Sequence, residues 1–215
     1  MSTILNEAEV RVLGSLVEKQ VTTPEYYPLT LNALVAACNQ KSNRSPVVAY
    51  DEATVERAAE SLRSKNLVYL FYGSTSRVPK YKHMMAEVFS LSAAELAVIC
   101  VLMLRGHQTP GELRGRTDRL HDFSSLQEVE ETLDALAAKE PEPLVMKLPR
   151  QPGQKEVRYA HLLSGEVSAE QFSVPEQADA EATPHVVARS DRLAALEQEV
   201  AALRREFEEF KKQFD

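Results

Sequence analysis

Residues 51–84, DEATVERAAESLRSKNLVYLFYGSTSRVPKYKHM, decide the fold. Ala53, Val55, Ala58, Ala59 and Leu62 recur at helical spacing, with Glu56, Arg57, Glu60 and Arg63 between them. One face of the helix therefore packs, and the other meets solvent or a partner. Asp51 and Glu52 place carboxylates where a helix start leaves amides unsatisfied, and Asn66 is a plausible stop. Residues 67–72 are aromatic and branched, GSTS at 73–76 supplies a hairpin turn, and RVPKYKHM returns. Pro79 lacks a ladder donor, so the returning strand is expected at an edge.

Upstream, residues 5–20 read as a helix capped by Asn6, with Glu9 as its capping-box partner and Val12, Leu13, Leu16 and Val17 as its buried stripe. Two prolines break the pattern at 22–28, and Thr30 starts a second helix through Leu31, Leu34, Val35 and Cys38. Helix, helix, helix, strand, turn, strand is the winged-helix plan, in which the third helix reads DNA and the hairpin is the wing.

The plan recurs. Leu5-Asn6-Glu7-Ala8-Glu9 returns as Leu91-Ser92-Ala93-Ala94-Glu95 at an offset of 86, and Val55-Glu56, Leu62 and Lys65 return as Val129-Glu130, Leu136 and Lys139 at an offset of 74. Lys80-Tyr81-Lys82-His83 becomes Arg158-Tyr159-Ala160-His161. The fold expected is mainly α with small β-hairpin wings: winged-helix domains at 1–90 and 91–165, the second shorter by about a dozen loop residues. In the second copy the helix at 92–105 is apolar almost all round and needs burial on more than one side.

The rest is a tail. Residues 166–189 are acidic and aperiodic, an expected flexible linker. In the segment 190–215, Leu193, Val200, Phe207 and Phe214 fall at heptad a positions and Leu196, Leu203 and Phe210 at d. Arg192 with Glu197, Glu199 with Arg204 and Glu206 with Lys211 would pair oppositely across a parallel two-stranded coil, so a homodimer is expected through this helix. The alternative is an amphipathic helix folded back on its own domain.

The net charge is -7, and it is uneven. Residues 1–90 hold 10 Lys and Arg against 9 Asp and Glu, whereas 166–215 hold 6 against 12. Cys38 and Cys100 lie inside apolar helical patterns without a CxxC spacing and read as buried thiols. No secretion signal and no run near the ~20 apolar residues of a membrane span is evident, so a cytoplasmic protein without a membrane partner is expected. No phosphate loop, GxSxG or metal-ligand histidine spacing stands out. Asp118, His121 and Asp122 suggest at most a solvated polar turn, so the expectation is no enzyme, no metal and no cofactor.

Double-stranded DNA is the expected partner. Lys41, Arg44, Arg57, Arg63, Arg77, Lys80 and Lys82 cluster on the loop, third helix and wing of the first copy, where arginine can read guanine and all can hold phosphate. Glu56 and Glu60 on the same helix oppose groove insertion, and a solvated mixed-charge face is the alternative. The second copy's third helix, with Glu128, Glu130, Glu131 and Asp134, is too acidic for a groove. That acidity keeps a protein partner open as the second expectation.

Over TTPEYYPLTLNALVAACNQKSNRSPV, residues 22–47, the chain resembles the YceH-like family of bacterial proteins, with the likeness running over residues 4–163. The resemblance implies tandem winged helices and a bacterial cytoplasmic protein. It implies no activity and no catalytic residue.

Overall fold

In the structure, a computed structural model, residues 4–72, 78–150 and 156–165 are described. The expected turns at 73–76 and 151–154, Arg77, the linker at 166–189 and the heptad helix with Leu193, Leu196, Val200, Leu203, Phe207, Phe210 and Phe214 lie outside them. The described residues belong to one compact unit, mainly helical with two small antiparallel strand pairs among them.

The first half runs α1 (Glu7–Thr22), a 3-10 turn (Pro24–Tyr26), α2 (Leu31–Cys38), α3 (Glu52–Ser64), β1 (Val68–Phe71) and β2 (Lys80–His83). After a short α4 (Met85–Val88), the second half repeats the order: α5 (Ala93–Arg105), α6 (Pro110–Arg116), α7 (Leu126–Ala137), β3 (Val145–Lys147) and β4 (Tyr159–His161).

Local chemistry sets the helix ends. The Asn6 side chain accepts from the Glu9 amide while Glu9 reaches back to the Asn6 amide, and Ser92 with Glu95 does the same for α5. Asp51 caps α3 through the Thr54 amide, and Asn66 beyond its end adopts φ 60°, the left-handed conformation asparagine tolerates. Gly106, at φ 74°, ends α5.

Each half is closed by one repeated ion pair. Lys65, past the end of α3, donates to Glu9 Oε1 at 2.7 Å and to the Ile4 carbonyl at 2.9 Å. Its counterpart Lys139 donates to Glu95 Oε1 and to the Ser90 carbonyl, both at 2.9 Å. Burial alone would raise the Glu9 carboxyl, but hydrogen bonds from Lys65, Ser61 and Asn6 outweigh it and hold the group below the ordinary carboxylate range. Burial opposes ionisation of Glu95 too, and bonds from Ser92 and Lys139 overcome it.

Two sequence expectations need correction. The returning strand β2 is not an edge at its centre, because Tyr81 exchanges both backbone bonds with Leu29, and Tyr159 does the same with Gln108 in the second half. Pro79 precedes the ladder and removes no bond from it. The dozen residues that the second copy lacks are also not all loop. Its first helix has 13 residues against 16, its second 7 against 8, and both connections between helices are shorter as well.

The core joins the halves. Every residue of α5 from Glu95 to Leu104 is buried, and α1 supplies the facing surface. The two helices cross at Gly14, whose carbonyl receives the Cys100 thiol at 3.5 Å. A Cβ on Gly14 would stand 2.9 Å from Leu104 Cδ2 and 3.2 Å from Met103 Cβ, so only glycine admits this approach without a shift. Cys100 is also the repeat counterpart of Gly14, at the offset of 86. The apolar periphery of α5 is thereby accounted for within the chain.

Candidate nucleic-acid interface

The hairpin β1–β2 sorts its side chains by strand alternation. Val68, Leu70, Tyr81 and His83 turn toward the helices, buried except for the half-buried Leu70. Tyr69 and Phe71 face away, directly opposite Lys82 and Lys80 in the register. The result is one outward face of two aromatic rings and two ammonium groups. Lys82 Nζ lies 5.8 Å from the Tyr69 ring centroid, within reach of the ring's negative face. Phe71 is 41% exposed and Tyr72, just beyond it, 63%, values that leave their rings open to a stacking or packing partner.

The inner face is locked by His83. Its Nε2 lies 2.5 Å from Gln20 Oε1, its Nδ1 accepts from the Met85 amide at 3.2 Å, and its own amide donates to the Tyr27 hydroxyl at 2.8 Å. An acceptor at Nδ1 requires the neutral ring, and burial lowers the His83 pKa to about 4. The hairpin is thus held rigidly to α1.

Beside the hairpin, α3 presents Glu52, Glu56, Arg57, Glu60 and Arg63 to solvent. Arg57 bonds Thr54 Oγ1 at 3.3 Å, an exposed contact that a stronger partner can replace. Arg63 is held by the Glu60 carboxylate at 2.6 Å, so its charge is locally matched. Lys41 stands exposed on the loop between α2 and α3.

Arg44 is elsewhere. Its guanidinium is fully buried, donating to Glu18 at 2.9 and 2.6 Å, to the Ala37 carbonyl at 3.0 Å and to Gln40 Oε1 at 3.1 Å. Burial would raise the Glu18 carboxyl, and the bidentate Arg44 contact reverses this and keeps it ionised. Arg44 fastens the α2–α3 loop to α1 and is not available to a duplex. Of the expected basic group, then, Lys80, Lys82, Arg57 and Lys41 reach the surface, Arg63 reaches it paired, Arg44 is interior, and Arg77 is outside the described residues.

Tyr69 and Phe71 were not among the candidate residues. The signal for them was the alternation of VYLF against KYKH, which assigns faces once the register is known.

Among the described residues, the second half lacks this surface. The position of Tyr69 opposite Lys82 is taken by Met146 opposite Ala160, and Ala160 is buried. Arg158, counterpart of Lys80, is tied to Glu112 Oε2 and the His107 carbonyl, both at 3.0 Å. On α7 the counterpart of Arg57 is Glu131. Two copies of one scaffold, of which only the first carries an open aromatic and cationic hairpin among the described residues, define a mainly helical repeat protein with one specialised half.

The chain belongs to the family described as a protein of unknown function, DUF480, whose model matches residues 5–154. It is 60% identical over 201 residues to a UPF0502 protein of Opitutus terrae, covering 94% of this chain and 84% of that one. A UPF0502 protein of Geobacter sulfurreducens is 51% identical over 224 residues, covering all of both chains, so that alignment runs through the acidic stretch and the heptad segment. A third, from Solibacter usitatus, is 52% identical over 211 residues and 98% of each chain. No helix among the described residues is long and apolar enough to cross a membrane.

Proposed function

We propose that the chain is a non-enzymatic DNA-binding regulator built of two tandem winged-helix modules, in keeping with the YceH-like resemblance, and that only the first grips duplex. The observation that supports this is the outward face of β1–β2, where Lys80 and Lys82 stand beside Tyr69 and Phe71. In this fold class the hairpin lies along the backbone while the third helix approaches a groove. Lys80, Lys82 and Lys41 hold phosphates, and Arg57 is the residue positioned to meet a base edge. Glu56 and Glu60 limit how deeply α3 enters, so backbone contact dominates. Pairing through the heptad helix at 190–215 gives a cytoplasmic homodimer with two such hairpins and favours a two-fold symmetric site. Truncation after Gly165 then yields a monomer by light scattering.

The test is fluorescence anisotropy with a labelled mixed-sequence duplex at several salt concentrations. Log affinity falls linearly with log salt, with a slope of about -0.9 per phosphate contacted. Absence of binding at low salt overturns the proposal. A protein-assembly role is the second reading, supported by the exposed Glu130, Glu131 and Asp134 on α7 and by the exposed rings of Phe71 and Tyr72. It predicts a stoichiometric protein partner whose capture is unaffected by nuclease.

A further inference from the structure

A concave site lies away from the hairpin, where the ends of α1 and α5 meet α6 and the loop before α3. The cavity is about 350 Å³, within the size range of small-molecule sites. Its base is apolar: Cys100, Val101 and Leu104 of α5 are buried and line it, with Leu120 beside them. Its walls are cationic. Lys19, Arg105, Arg116 and Arg119 line it against two carboxylates, Glu18 and Asp118.

Both carboxylates are engaged. Glu18 takes the bidentate contact from Arg44 at 2.9 and 2.6 Å and has Lys19 at 3.6 Å, and Asp118 Oδ1 accepts the Arg119 amide at 2.8 Å. Arg105 donates to the Asn43 amide oxygen and Arg116 to Gln108, with Glu112 3.8 Å from Arg116. A cationic cavity in a chain of net charge -7 runs against the overall balance. Concentrating that charge over an apolar base selects anions with a hydrophobic body.

We propose that this cavity binds a small organic anion, its carboxylate, phosphate or sulfonate held by Arg119 and Lys19 and its apolar part resting on Val101 and Leu104. Guanidinium forks match such oxyanions in geometry. The lining comes from both halves of the repeat, so the ligand bridges them. Neither the site nor its ligand depends on whether the hairpin meets DNA.

The experiment titrates the full chain with 8-anilinonaphthalene-1-sulfonate, an aromatic sulfonate, following its fluorescence, with citrate as competitor. Saturable binding at one probe per chain, displaced by citrate, is expected. Arg119 and Ser42 are exposed lining residues, so Arg119→Glu and Ser42→Trp keep the fold. The first reverses a wall charge and the second fills the mouth, and each weakens the probe at least about tenfold. Arg57→Glu, on α3, leaves binding unchanged. Hydrogen exchange slows on binding at residues 100–105 and 115–120. Unsaturable binding, or equal affinity in the wild type and both cavity variants, overturns the assignment.

Discussion

In the first half, Lys65 beyond the third helix reaches the capping carboxylate Glu9, and in the second half Lys139 reaches Glu95 in the same way. Yet the middle of that helix's exposed face is Arg57 in one half and Glu131 in the other, and the outward hairpin pair is Tyr69 with Lys82 in one and Met146 with Ala160 in the other. The positions that close each half have kept their chemistry, while those that face outward have diverged. A scaffold bond involves two positions at once, so changing either residue leaves the other unpaired. A surface residue carries no such constraint. The divergence also reaches inside at one place: the counterpart of Glu18, which clamps buried Arg44, is Leu104, and the second half has no such clamp at that position.

Breaking that clamp has the largest expected effect. Arg44→Ala leaves Glu18 a largely buried charge with only the looser Lys19 contact at 3.6 Å and lowers stability by about 3 kcal/mol in urea unfolding followed by circular dichroism. The double variant Glu18→Leu, Arg44→Met gives the first half the apolar chemistry of the second and recovers most of the loss. A double variant as unstable as the single one would show that the ion pair holds the loop in a way packing cannot replace.

A smaller effect concerns what the halves share. His83 and His161 occupy equivalent hairpin positions, and burial lowers both to about 4. For His83, Glu87 partly opposes the shift and Lys82 adds to it, and for His161 the neighbouring His107 adds to it. An unfolded histidine titrates near 6.5, so between about 6.5 and 4 the unfolded state binds more protons and stability falls as the pH falls. By pH 5 the loss is about 2 kcal/mol for His83 and less for His161, which solvent reaches more than it reaches His83. It precedes the carboxylate losses of Glu9, Glu18 and Glu95, whose lowered values confine them to more acidic solution. Thermal unfolding of His83→Gln and His161→Gln from pH 7 to 5 apportions the slope between the halves.

Smaller again is the cost at the seam. Gly14→Ala sets a Cβ against Leu104 Cδ2 at 2.9 Å, the end of a flexible side chain, and costs about 1–2 kcal/mol. Cys100→Ala, at the counterpart position, removes only a sulfur and its weak bond. A smaller loss there shows that close approach, rather than the thiol contact, sets the crossing.

Much of this scaffold was legible in the sequence because its signals are local. Asn6 with Glu9 and Ser92 with Glu95 are capping boxes whose partners stand three residues apart, and the repeat follows from counting offsets. The places where reading fell short all depend on contacts distant in sequence. Arg44 looked like one more loop cation, because nothing in residues 39–50 reveals that Glu18, 26 residues earlier, turns toward it. Leu29 follows a proline and forms a bridge one residue long, too short for a strand pattern. The dozen residues missing from the second copy were read as loop because offsets give a total and not its distribution. The cavity was invisible for the same reason, since Lys19, Arg105 and Arg119 meet only after α1, α5 and the turn following α6 have packed.

The smallest expected effect bears most directly on the contrast between the halves. If the first hairpin holds duplex by its phosphates, Lys82→Ala weakens every sequence alike, by about 1 kcal/mol or less, and lowers the salt slope by about one. Arg57→Ala instead reduces affinity and flattens the preference among sequences. Arg57→Glu copies the second half's Glu131 and adds repulsion from phosphate, so it weakens binding more than either alanine. The reciprocal Glu131→Arg does not create a second grip, because the hairpin beside α7 offers Met146 and buried Ala160 where β1–β2 offers Tyr69 and Lys82. A gain of affinity from Glu131→Arg would place the difference between the halves in the third helix alone. No gain leaves helix and hairpin acting as one surface, and the first half alone carries both parts of it.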